Sequence, residues 1–132
     1  MSSEAYQAGL SWRLCPTSRM PECDYVPRTV EEAESYIRGL FEAVGEVFDP
    51  DPHVEGNLVV IFKNPPQILA DLLKSFGIDC METTDEKGAE RFVVIYDQES
   101  VELFFKRIRP RLPEVEPLLR KVARYYDSEF NN

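Results

Sequence analysis

A chain of 132 residues with 43% apolar and 30% charged side chains is sized for one domain that can bury a real core. Its longest apolar stretches, such as Leu58 to Phe62 and Phe92 to Ile95, are strand-sized, far short of the roughly 20 residues that cross a bilayer. The net charge of -9 argues against a broad phosphate-binding surface, which normally carries an excess of Lys and Arg.

In chain order, residues 1–28 read as an irregular arm punctuated by Pro16, Pro21 and Pro27, with Trp12 as its large apolar anchor. No basic segment followed by an apolar run opens the chain, so the expected compartment is the cytoplasm. Cys15, Cys23 and Cys80 include no C-x-x-C pair and signal neither zinc nor a disulfide scaffold. Cys15 and Cys23 could close a small loop, but unpaired structural thiols are the expectation for a cytoplasmic chain.

Thr29-Val30-Glu31-Glu32 is a capping-box pattern that starts a helix running to about Ala43, with Gly45 as its stop. On this helix Ser35, Gly39 and Ala43 recur every four residues and form a ridge of small side chains, against which another helix can approach closely. Glu46 to Phe48 reads as a short strand, and Asn57 to Lys63 is the clearest strand of the chain. Asn64-Pro65 predicts a helix cap and first turn, followed by Ile68, Leu69, Leu72, Leu73 and Phe76 on one face and closure at Gly77. Ile78 to Thr84 and Ala89 to Tyr96 flank Asp85-Glu86-Lys87-Gly88 as a hairpin. Asp97 caps a further helix that Pro110 and Pro113 break, and a last helix is expected from about Glu114 to Tyr126.

The fold class is therefore α+β: a four-stranded antiparallel sheet in the order αββαββα, helices on one face, an extra C-terminal helix, and one domain over residues 29–132. Such a sheet buries one side and leaves the other open to a partner.

Ile37-Arg38-Gly39-Leu40-Phe41-Glu42-Ala43-Val44-Gly45 resembles the nine-residue signature of the LAGLIDADG homing endonucleases. Pro65 to Ile78 is similar to that family's second helix, and Phe92 to Ile108 to its strand-then-helix close. The resemblance covers residues 30–126 as a single copy. It implies a homodimer, or pairing with a related chain, through Ser35, Gly39, Leu40 and Ala43. It also implies a curved sheet facing DNA, and an acid just before the final glycine that holds the divalent metal for phosphodiester hydrolysis.

Val44 occupies that acid position here, and a valine cannot ligate Mg²⁺. Glu42 and Glu46 are weak substitutes, because Glu42 lies about 160° around the helix from Val44 and Glu46 falls beyond the turn. No catalytic residue, metal or other cofactor is expected, with Mg²⁺ entering only if the chain is active. The charge pattern departs too. Residues 45–98 carry four basic and eleven acidic side chains, whereas residues 101–132 carry seven basic and five acidic. Lys63, Lys87 and Arg91 on the sheet side, with Lys106, Arg107, Arg109 and Arg111 near the C-terminus, are the nucleic-acid-binding candidates. His53, the sole histidine, has no nucleophile near it in sequence.

The expectation is thus a non-cleaving, homing-endonuclease-like protein that dimerises through its signature helix and serves as a nucleic-acid-binding or regulatory module. Two alternatives follow from the same residues. One is a protein-interaction subunit whose acidic sheet meets a basic partner; the other is an active endonuclease with a displaced carboxylate.

Overall fold

The computed structural model describes residues 2–17, 20–50 and 58–110. Its elements are α1 (Ser3–Ser11), α2 (Val30–Val44), β1 (Gly45–Phe48), β2 (Val59–Lys63), α3 (Leu69–Ser75), β3 (Met81–Thr84), β4 (Arg91–Ile95) and α4 (Gln98–Ile108), with 3₁₀ turns at Trp12–Leu14 and Pro21–Asp24. The expected last helix and Arg111 lie outside the described residues.

Local chemistry sets most boundaries where the sequence places them. The Thr29 hydroxyl accepts from the Glu32 amide at 3.1 Å to open α2, and the Asp97 carboxylate accepts from the Ser100 amide at 3.2 Å to open α4. The α2 stop needs glycine because a Cβ on Gly45 would meet the Phe41 ring at 2.5 Å. Gly77 closes α3 with a φ of 79°, in the left-handed region that glycine enters without steric cost.

Asn64 behaves differently from expectation. Instead of capping α3, it takes a φ of 49° and prolongs the β2–β4 ladder: its amide donates to the Arg91 carbonyl at 2.7 Å, and its side-chain oxygen accepts from the Arg91 amide at 2.9 Å. The chain then turns through Pro65 and Pro66, and α3 starts later, at Leu69.

The sheet is antiparallel throughout, in the order β1-β2-β4-β3. Val60, Phe62, Val93 and Ile95 alternate toward the helices and are fully or almost fully buried. They meet Ile37, Leu40 and Phe41 of α2, Leu69 and Leu73 of α3, and Val101, Phe104 and Ile108 of α4 in one core. At its centre Phe41, Phe62 and Phe104 form a triangle of tilted and edge-to-face rings, with centroids 5.6–5.9 Å apart.

The N-terminal segment is not an irregular arm. Ser3–Ser11 is helical, and Ala5 and Ala8 belong to the same core as α2. Its exit is stapled, because Cys15 and Cys23 are disulfide-bonded rather than free and tie the two 3₁₀ turns together. Cys80 keeps a free thiol, which burial pushes to a higher pKa.

Candidate functional site

Four surfaces decide what this fold can do: the small-residue ridge of α2, the foot of that helix, the open side of the sheet, and a basic cleft between α2 and α4.

The ridge is occupied by the chain itself. The Ser2 amide donates to Ser35 Oγ at 2.9 Å, Tyr6 Oη donates to Glu42 Oε1 at 2.6 Å, and Gly9 lies directly against Gly39. A Cβ on Gly9 would collide with the Tyr36 carbonyl and come within 2.6 Å of the Leu40 amide nitrogen. A Cβ on Gly39 would collide with the Tyr6 carbonyl and come within 2.8 Å of the Leu10 amide nitrogen. The two sets of neighbours differ by a constant 30 positions, the mark of a local two-fold relation between the helices.

The sequence carries the same relation, Tyr6-x-x-Gly9-Leu10 answering Tyr36-x-x-Gly39-Leu40. The helices run in the same direction, since α1 begins beside Ser35 and ends where Trp12 Nε1 donates to the Asn64 carbonyl at 2.9 Å, near the foot of α2. The expected dimer contact through Ser35, Gly39, Leu40 and Ala43 is therefore corrected. Ser35 and Leu40 are buried within one chain, and Gly39 is sealed under α1, which leaves no room there for a second copy's helix.

At the foot of α2, Val44 packs against the hydrophobic core, so the position that would hold a metal ligand is spent on apolar contact. The two substitute carboxylates are held apart. Glu42 faces α1 through Tyr6, whereas Glu46 stands exposed on β1 opposite Ile61, on the outer side of the sheet. No cluster of three or more His, Cys, Asp or Glu side chains able to hold a metal exists among the described residues.

The sheet's open side carries Glu46 and Phe48 of β1, Ile61 and Lys63 of β2, Phe92 and Val94 of β4, and Met81 and Thr83 of β3. These follow from strand alternation and register opposite the core-facing set. Phe48 is 54% exposed, Met81 49%, and Tyr96, just past β4, 53%. The surface is thus apolar at its centre, and Lys63, the cation of the face itself, pairs with Glu90 at 3.1 Å. Arg91 alternates to the helix side of the sheet with Val93 and Ile95, where it stands 3.9 Å from Glu82 and donates to the Pro65 carbonyl. Lys87 is exposed at the hairpin tip, next to Asp85 and Glu86.

The C-terminal basic residues form a different site. Arg38, Lys106, Arg107 and Arg109 line a cleft of about 300 Å³ between α2 and α4, with Glu31, Glu34 and Ser35 as the other walls. Arg38 is 9% exposed, and its Nε donates to the Ile108 carbonyl at 2.7 Å, where the α4 helix dipole favours a cation. Arg107 pairs with Glu34 at 3.1 Å and lies 4.8 Å over the Phe76 ring. Lys106 pairs with Glu102 at 2.7 Å, and Arg109 donates to the Lys106 carbonyl.

The sequence reading missed Arg38 as a member of this cleft. Arg38 lies inside the signature, three residues after Ser35, and that i, i+3 spacing is what places both on one wall. Tyr25 completes the α2 surroundings: its hydroxyl donates to Glu32 at 2.8 Å. This bond holds the Glu32 carboxyl below its usual range, while burial foremost, and then Glu32, raises the Tyr25 pKa.

Among solved structures the chain is similar to full-length DUF199/WhiA from Thermatoga maritima, at 19% identity and a TM-score of 0.57. The likeness covers 79% of this chain and 36% of that one, so the chain spans about a third of that protein's length. It shows the fold, which is homing-endonuclease-like. No family model and no curated protein matches the chain.

Proposed function

We propose that this chain is a non-cleaving nucleic-acid-binding or regulatory module built on the homing-endonuclease-like fold. The observation that carries the reading is Val44, packed into the core at the foot of the signature helix, with Glu42 and Glu46 turned to opposite surroundings. Metal-assisted phosphodiester hydrolysis needs carboxylates that share one cation between nucleophile and phosphate, and this arrangement gives such a cation nothing to bridge. The module then works through binding alone.

Nucleic acid, in this reading, meets the α2–α4 cleft and not the sheet. Four cationic side chains against two carboxylates line the cleft, whereas the open face of the sheet carries Lys63 with Glu46 and Glu90 around it. A phosphate would displace Glu34 and Glu102 from partly exposed cations, a modest cost because exposed ion pairs contribute about 0–1 kcal/mol.

Fluorescence anisotropy with duplex DNA and with a structured RNA, titrated upward in salt, tests this. Binding that weakens with salt and is lost in a Lys106→Glu, Arg109→Glu double variant is expected. Supercoiled plasmid incubated with Mg²⁺ should stay intact. Nicking that disappears in Glu46→Ala would overturn the reading in favour of a displaced-carboxylate nuclease.

A further inference from the structure

With nucleic acid assigned to the α2–α4 cleft, the open side of the sheet is left for another use. The open side exposes Phe48, Met81 and Tyr96 around half-buried Ile61, Phe92 and Val94. These six residues come from all three parts of the surface: the β1 edge, the centre and the β3 edge. Scattered apolar side chains are ordinary on protein surfaces, but a contiguous set on one sheet face marks an interaction site.

Its charge is one-sided. Glu46 is exposed on the face with no hydrogen bond or ion pair to any described residue, and the hairpin tip adds Asp85 and Glu86 against Lys87 alone. Lys63, the cation of the face itself, is spent on Glu90.

We infer that the open sheet face is a docking surface for a protein segment whose apolar side chains are flanked by Lys or Arg. The inference rests on the reading of the chain as a binding module and names the partner of its second surface. Charge selects this occupant over the others. A second copy of the chain would bring a matching acidic rim against Glu46 and the hairpin, a like-charge contact that complementary interfaces avoid. A single-stranded nucleic acid could stack on Phe48 and Tyr96, but stacking platforms work together with a positive groove that tracks the phosphates. Here the cation on the face is neutralised by a glutamate 3.1 Å away. A segment with basic flanks meets the acidic rim favourably and offers its apolar side chains to the centre, where truncation of a buried aromatic anchor costs most.

The probe is a fluorescein-labelled synthetic peptide of Leu and Lys patterned as an amphipathic helix, with a Leu and Glu peptide of the same pattern for comparison. Both are titrated into the full oxidised chain. The Lys peptide is expected to bind about tenfold more tightly than the Glu peptide. Phe48→Ser is expected to weaken it about tenfold and Glu46→Lys about threefold. Val30→Ser, at an exposed apolar residue away from the sheet, should leave it unchanged. Phe48 and Glu46 are both exposed on an edge strand, so neither variant threatens the core, and thermal melts confirm that both remain folded.

Absence of peptide binding, or binding indifferent to both sheet variants, overturns the inference. Displacement of the peptide by an unlabelled single-stranded oligonucleotide, with the oligonucleotide itself sensitive to Phe48→Ser, overturns it in favour of a stacking platform. Mg²⁺-dependent nicking would sink the non-cleaving reading without touching this result, so the two failures are told apart.

Discussion

The α2 ridge and the open sheet face are the two surfaces that the sequence offers to a partner, and the chain treats them in opposite ways. Along the ridge the fit is backbone to backbone. Gly9 and Gly39 exclude even a methyl group, a hydrogen bond links Tyr6 to Glu42, and Ser35 and Leu40 are buried. Across the sheet, Phe48, Met81 and Tyr96 stay about half exposed. A surface sealed within the chain contributes to stability at all concentrations, whereas an open one contributes only once a partner arrives. The difference is one of timing: the ridge is filled as the chain folds, and the sheet face is left for what comes after.

The largest effect that would break this contrast is at the ridge. Gly39→Leu should destabilise the protein by about 3 kcal/mol or more, because neither helix backbone can retreat without opening the core beneath Ala5 and Ala8. Urea unfolding measures it, and a loss under 1 kcal/mol would mean that α1 is not docked in solution.

Alkaline titration sharpens the same side. Burial raises the Tyr36 hydroxyl pKa from 10.0 to about 12. A group raised in the folded state lends stability that is fully present below the unfolded value and lost as pH rises through the folded one. Unfolding free energy should therefore fall between pH 10 and 12, by an amount on the order of 2 kcal/mol at the upper end, with the melting temperature falling alongside it. Tyr36→Phe should flatten that fall.

Replacing Cys15 and Cys23 by serine should cost about 2 kcal/mol, from the restored freedom of a short loop in the unfolded chain. An unchanged urea midpoint on treatment with reductant would show that the bridge constrains nothing. Tyr6→Phe removes a hydrogen bond to a carboxylate whose other oxygen is already buried without a partner, for about 1–2 kcal/mol. Smallest of all, Phe48→Ser on the open face should alter stability by less than about 0.5 kcal/mol. A marked loss there would mean that the face is covered, and the contrast between the two regions would collapse.

The boundaries of α2 and of the sheet and its helices could be read from the residues, and little of what covers the ridge. The Thr29 and Asp97 caps, the Gly45 and Gly77 stops and the hairpin at Gly88 were legible because each is a local rule satisfied by side chains within a few positions. α1 was not. Its sequence offers Ala, Gly and Ser where an amphipathic helix normally shows large apolar residues, since a helix pressed to another's backbone has room for nothing bigger.

Its one signal was the Tyr-x-x-Gly-Leu echo thirty residues apart, visible only once the spacing is sought. The Cys15–Cys23 bridge escaped because compartment weighed against it, whereas the structure brings the two 3₁₀ turns together. On the sheet, a tally of acids over residues 45–98 predicted an acidic surface. The pleat instead turns Ile61, Phe92 and Val94 outward and leaves the carboxylates to the rim, and a run apolar on both faces does not announce which face is open.

The parallel run of α1 and α2 has a consequence for how the molecule is assembled. α1 ends near the foot of α2, so the residues from Trp12 to Thr29 must travel back along the pair before α2 can begin, a climb of roughly 20 Å for a helix of fifteen residues. Adjacent antiparallel helices need only a tight turn; this pair must close a long loop first, and loop closure slows a folding step in proportion to the freedom it removes. The contacts of α2 with the sheet and α4 do not wait for that loop. α1 is thus suited to be the last element to settle, and the bridge between Cys15 and Cys23 shortens the path that must close before it docks.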